Sequence, residues 1–165
     1  MRVGLESRLV SEAVAYALEV APGDVADTIR WLDVQGFGLR GERGGRRESF
    51  GNVLLEFERA GIRIAIVRDR SQWMVSIAAS DGATAYALES WLLAMRGEKA
   101  APSRRRRPFV SPLADQLPEG ESWQAGVPAV IEWITHADRT PEITEAEQDR
   151  RRAMREYLNS PRKPV

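Results

Sequence analysis

The stretch Val53-Leu54-Leu55-Glu56-Phe57-Glu58-Arg59-Ala60-Gly61-Ile62-Arg63-Ile64-Ala65-Ile66-Val67-Arg68-Asp69-Arg70-Ser71-Gln72-Trp73-Met74-Val75-Ser76-Ile77-Ala78 decides the fold. Its side chains alternate three times in succession. Val53, Leu55 and Phe57 share one face of a strand expected over 50–59. Ile62, Ile64 and Ile66 share a face of the next, and Trp73, Val75 and Ile77 a face of the last. A period of two marks strands with one buried side. Ala60-Gly61 and Asp69-Arg70-Ser71 are links short enough to make consecutive strands antiparallel neighbours. Phe37 to Glu42 reads as a further short strand, and the glycine- and arginine-rich Gly41 to Arg47 as a loop.

Helical spacing lies on either side. Leu5, Leu9, Ala13, Tyr16 and Val20 predict a helix over 5–20, broken by Pro22-Gly23. Asp24 is the expected cap of a second helix over 25–35, with Val25, Ile29 and Leu32 on one stripe and Gly36 ending it. Asp81-Gly82 closes the sheet. Leu88, Trp91, Leu92 and Met95 then set a helix over 84–96, stopped by Gly97. The expected fold class is α+β. It is a two-layer domain with an antiparallel four-stranded meander, two N-terminal helices and one following helix, plus a helical C-terminal extension. The division read from the sequence is an α+β core domain over 1–96, a Pro/Arg-rich linker over 97–124 and a helical extension over 125–165. Within the extension, Val127, Val130, Ile131 and Ile134 form an apolar stripe over 125–137. Thr140-Pro141-Glu142 opens a last helix running to about Leu158, with Thr140 as cap and Pro141 at the first position.

Composition narrows the function classes. In 165 residues there are 24 basic and 24 acidic side chains, so a general nucleic-acid coat is not expected. The absence of cysteine excludes disulfides, thiol catalysis and cysteine-held metals, and the single histidine, His136, cannot build a multi-histidine site. The longest charge-free runs, 71–80 and 122–131, fall well short of the ~20 residues of a membrane helix. Met1-Arg2-Val3-Gly4-Leu5-Glu6 lacks the apolar core of a signal peptide, so a soluble, cytoplasmic protein with no membrane partner is expected. All basic residues but Lys99 and Lys163 are arginine. That bias fits a G+C-rich bacterial genome and leaves many planar bidentate donors for carboxylates and phosphates.

Each candidate site has a structural explanation beside its functional one. Gly36-Phe37-Gly38-Leu39-Arg40-Gly41 spells G-x-G-x-x-G, but the helix precedes the strand, the reverse of the dinucleotide order. Arg104-Arg105-Arg106-Arg107 can contact phosphates or an acidic protein surface, yet acids nearly balance bases over 97–165. His136 with Asp138 lacks a nucleophile and sits near a helix end, where capping suffices. Glu142, Glu145, Glu147 and Asp149 lack calcium-loop spacing and read as the acidic start of a charged helix whose second half carries Arg150, Arg151, Arg152 and Arg155. Glu56 and Glu58 share a strand face, where carboxylate pairs can hydrolyse; cross-strand pairing with Arg63, Arg68 and Arg70 is the simpler account. The second sheet face adds Leu54, Ala65, Val67 and Met74 to these charges, an apolar centre with an arginine-bearing rim of the kind found in protein interfaces.

Ser49-Phe50-Gly51-Asn52-Val53-Leu54-Leu55-Glu56, followed by Arg63 and by Val67-Arg68-Asp69-Arg70-Ser71-Gln72-Trp73-Met74-Val75, resembles a group of small, largely uncharacterised bacterial proteins. These carry an SFGN-type strand and then a VRDR-x-Q hairpin, and are immunity-protein-like. The resemblance covers 37–78 and brings no catalytic residues with it. It implies an immunity or antitoxin role.

The expected function is therefore a non-enzymatic protein-interaction module, an immunity- or antitoxin-type inhibitor acting by occlusion. It takes no cofactor and no metal. Its candidate partner-binding residues are Leu54, Glu56, Arg63, Val67, Arg68, Asp69, Arg70 and Met74, with tail contacts from Arg104, Arg105, Arg106 and Arg107. The partner is another protein of unknown identity. Two alternatives stand behind it: a nucleic-acid-associated factor using the arginine-rich tail, and a small hydrolase or ligand-binding domain.

Overall fold

A computed structural model describes residues 11–45, 51–100, 117 and 120–159. Among these described residues, five helices and a five-stranded antiparallel sheet make the α+β fold. The order is α1 (Glu12–Val20), α2 (Gly23–Val34), β1 (Gly38–Gly44), β2 (Val53–Arg59), β3 (Ile62–Asp69), β4 (Gln72–Ala78), β5 (Tyr86–Ala87), α3 (Leu88–Arg96), α4 (Trp123–Thr135) and α5 (Thr140–Asn159). The strands lie in sequence order, β1-β2-β3-β4-β5, so the sheet is a meander as the three alternations require.

The registers convert alternation into rows across the sheet. On the inner face Leu39, Phe57, Ile64, Ile77 and Tyr86 stand side by side, and Glu42, Leu55, Ile66 and Val75 form the next row. Phe57, Ile64, Ile77, Leu55, Ile66 and Val75 are each at most 1% exposed. Val14, Val25, Ile29, Leu32, Leu88 and Leu92 of the helices belong to the same core. Trp91 ties the layers: its Nε1 donates to the Ile77 carbonyl at 2.9 Å, and its ring meets Tyr86 and Trp133 edge-on. The two-residue links turn through positive φ at both positions, Ala60 (51°) with Gly61 (83°) and Arg70 (47°) with Ser71 (68°). Such turns match the strand twist. The Asn52 side chain steadies the second by accepting from the Arg70 N–H at 3.1 Å.

Several boundaries differ from the sequence reading. Ser11 is extended and its Oγ accepts from the Val14 N–H, so α1 starts at Glu12 and does not run unbroken from residue 5; 1–10 lie outside the described residues. The glycines of Gly41 to Arg47 suggest a loop, yet β1 continues to Gly44. A Cβ on Gly44, at φ +94°, would collide with the Asn52 carbonyl, so glycine there permits a close strand approach. A fifth strand, β5, replaces the first turn of the helix expected from 84; two residues are too few to show alternation. Thr140 is not the cap of α5 but its first residue, and Pro141 follows second. The Asp138 carboxylate accepts from both the Thr140 N–H at 3.0 Å and its hydroxyl at 2.6 Å.

The largest revision concerns Asp24. α2 opens after Pro22 with no side-chain cap, and Asp24 caps a different helix. Its Oδ2 and Oδ1 accept from the backbone N–H groups of Trp123 and Gln124, both at 2.8 Å, at the start of α4. Ser122 adds its own cap to Ala125. α4 and α5 pack on α2 and α3, and Trp123, Val127, Val130, Ile131, Ile134 and Ile143 join the cluster that backs the sheet. A Cβ on Gly126 would lie 3.3 Å from Leu92 Cδ1, which shows how closely α4 approaches α3.

Candidate protein-interaction face

With the helix layer on the inner face, the outer face of the same strands carries the mixed surface. Register arranges it in three rows. At one end Arg43, Leu54, Val67 and Met74 cross four strands side by side. The middle row is Gly41, Glu56, Ala65, Ser76 and Ala87. The third is Gly38, Glu58, Arg63 and Ala78. The face thus grades from apolar to charged along the strands. Leu54, Ala65, Val67 and Met74 are half-buried, while Arg43, Glu56 and Arg63 are exposed.

Two shallow hollows follow this grading. One, of about 320 Å³, includes Arg43, Leu54, Val67, Asp69 and Met74 in its lining. The other, of about 290 Å³, includes Arg40, Glu56, Glu58, Arg63, Ala65 and Ser76. The small side chains of Ala65 and Ser76 make its floor, and long charged ones make its rim. Arg40, set at the register shift of β1, holds Glu58 at 3.7 Å, and Arg63 donates to the Ala83 carbonyl at 3.3 Å. An apolar strip beside anchored, exposed guanidinium groups is suited to a protein surface that offers its own apolar side chains and carboxylates.

Of the eight sequence candidates, Leu54, Val67 and Met74 fall in one row. Glu56 and Arg63 occupy the next two rows on the same face, and Asp69 and Arg70 are exposed at the hairpin. Arg68 departs from the expected cross-strand pairing. It stands between Val53 and Trp73 on the inner face, where its Nη1 donates to the Gly51 carbonyl and to Tyr16 Oη at 3.5 Å, and its Nη2 to Ser71 at 3.4 Å. A position with an even number on β3 belongs to the core side, and the adjacent Asp69 and Arg70 mask that parity. Arg104–Arg107 lie outside the described residues. Sequence reasoning missed Arg43, because the glycines around it suggested a loop, and passed over Arg40 although it falls within the strand expected over 37–42. Gly41 and Arg43 share the outer face, but the register shift between Leu39 and Gly41 breaks the alternation that would have signalled it.

The other motifs have structural partners. Gly36 ends α2, its N–H donating to Asp33 and that of Phe37 to Leu32, so the glycine triplet is a helix stop running into a strand. His136 is the exposed C-cap of α4. Asp138 is held below its usual carboxyl range by the hydrogen bonds from the Thr140 side chain and backbone. The acidic start of α5 is more than a solvated helix face: Glu147 is 7% exposed and accepts from Ser90 Oγ of α3 at 2.7 Å. Arg150 and Arg151 bond the same carboxylate at 3.0 and 2.8 Å, and Arg150 also reaches Glu89 at 3.7 Å. Burial by itself would raise the Glu147 carboxyl; the bonds from Arg150, Arg151 and Ser90 outweigh it and hold it at about 2. Arg152 is paired with Asp149. Arg150, Arg151 and Arg152 are therefore engaged within the chain. Among the described residues no group of three or more histidine, aspartate and glutamate side chains could hold a metal, and no helix is long and apolar enough to cross a membrane.

Comparison with protein families, with curated proteins and with solved structures found no match to this chain.

Proposed function

We propose that the protein is a non-enzymatic interaction module that binds another protein through the outer face of its sheet. The observation that supports this reading is the row Arg43-Leu54-Val67-Met74, a half-buried apolar strip across β2, β3 and β4 with the exposed guanidinium of Arg43 beside it on β1. The sheet needs its inner face for the core, whereas this outer strip fills no core position. An immunity- or antitoxin-type role, with the partner's working surface occluded, is the concrete form; the hairpin 67–75 carries the resemblance that suggests it. The protein acts from the cytoplasm in this reading.

The test is purification of the tagged chain from its own host at near-physiological salt, beside a Val67→Asp variant shown to melt cooperatively. A stoichiometric protein that survives a salt wash with the wild-type chain and is lost from the variant supports the proposal. A protein retained equally by both moves the contact off this face. Nucleic acid that elutes steeply with salt replaces the proposal with the second reading.

A further inference from the structure

We propose that the outer face also binds a second copy of this chain, as an aligned face-to-face sheet dimer about a two-fold axis parallel to the strands and midway between β2 and β3. This inference stands on the register and not on the partner reading above. A two-fold interface must be complementary to itself. That axis keeps each residue at its own height on the sheet and exchanges β2 with β3 and β1 with β4. Leu54 then faces Val67 of the second copy, and Arg43 lays its aliphatic stem on Met74. Glu56 faces Ala65, and Glu58 faces Arg63. Every apolar residue of the first row meets the same row, and the acid of the third row meets its base, each twice by symmetry. An axis perpendicular to the strands reverses the heights, placing Leu54 over Glu58 and Val67 over Arg63. The charge pattern therefore selects one orientation, and sheets packed at the usual angle of about −30° keep long side chains such as Glu58 and Arg63 within reach.

The face is small. Four strands at ~4.8 Å and seven residues at ~3.3 Å span at most roughly 19 by 23 Å, and Ala78 at one corner is already buried within the chain. This area is at most about half of the ~800 Å² per partner of a standard interface, so the dimer is weak and depends on concentration. A heterologous partner using the same row would displace the copy, and the free protein would keep its apolar strip covered at high concentration.

Sedimentation equilibrium of the full chain between roughly 1 μM and 1 mM tests this. The expected result is a mass rising towards twice that of the monomer. Glu58→Arg and Arg63→Glu each set two like charges face to face and should leave a monomer. Mixing the two variants should restore the dimer, because in the mixed pair both contacts are opposite in sign. An effect within one chain cannot be rescued by mixing. A wild-type chain that stays monomeric throughout overturns the proposal, as does a mixture no heavier than its components. Glu58→Gln, a milder change, provides the same reading if a reversal prevents folding: it should weaken the dimer several-fold, and unchanged association would count against the contact. None of these outcomes bears on capture of a different protein, which the purification decides separately.

Discussion

The two faces of the sheet are written by alternate residues of the same strands, and they obey different rules. On the inner face nearly every position is a large apolar side chain whose burial reaches completion: Leu55, Ile66 and Ile77 have no exposed area. The outer face interleaves Leu54, Glu56, Arg63, Ala65, Val67 and Met74, which are half-buried or exposed. The inner face is held by volume and transfer free energy, where each large side chain contributes roughly 1.5–3 kcal/mol. The outer face is tuned by cross-strand neighbours, each worth only roughly 0.2–1 kcal/mol. Within each of β2, β3 and β4 the core-forming and the outward positions are therefore separated by the parity of the residue number.

That separation can be broken most severely from the inside. Ile64→Asp places a charge in the middle of the inner rows and should abolish cooperative unfolding; a soluble variant with an ordinary melting transition would show that the faces are misassigned. Ending the chain at residue 96 comes next. It removes six members of the shared cluster, Trp123, Val127, Val130, Ile131, Ile134 and Ile143. At roughly 1.5–3 kcal/mol each, their loss is comparable with a whole domain's margin of about 5–15 kcal/mol. The fragment should expose apolar surface and lack a sharp melt by calorimetry, and a sharp melt would support the division at 96/97. Glu147 gives a smaller, pH-dependent effect. Its folded-state value of about 2 lies below the ordinary 4.5, so its contribution is complete above pH 4.5 and fades as pH falls towards 2. Glu147→Gln should lower the melting temperature at pH 7 and flatten its decline over that window; parallel curves for the two proteins would show that Arg150, Arg151 and Ser90 do not hold the Glu147 carboxylate ionised. Val67→Asp, on the outer face, should have the smallest effect, within about 1 kcal/mol, while removing association. A large loss of stability there would erase the contrast between the faces.

The strands and the inner-face residues were readable because a one-residue register slip would turn every large side chain to water. The helix stripes Val25-Ile29-Leu32 and Val127-Val130-Ile131-Ile134 were readable for the same reason at a period of 3.6. What escaped was whatever depends on a distant partner. Asp24 reads as the cap of α2 but lies within its first turn and serves α4; Glu147 sits in an acidic run and is hydrogen-bonded by Ser90 of another helix. β5 is too short to have a period. The candidate face was legible as a set of residue types, but its rows were not, since they require the register between strands. Arg68 shows the cost of that gap: its neighbours suggest a surface hairpin, and its parity turns it inwards.

The bond from Asp24 to Trp123 has a consequence in time as well as in space. The meander joins neighbours in sequence, whereas Asp24 and the start of α4 are 99 residues apart. Local pairings close cheaply and early, and contacts of long sequence separation come after them. Docking of α4 is then expected late on the folding route, with the carboxylate of Asp24 as its latch. Asp24→Ala should leave the refolding rate of the chain nearly unchanged and accelerate unfolding, the kinetic signature of an interaction that forms after the barrier has been crossed.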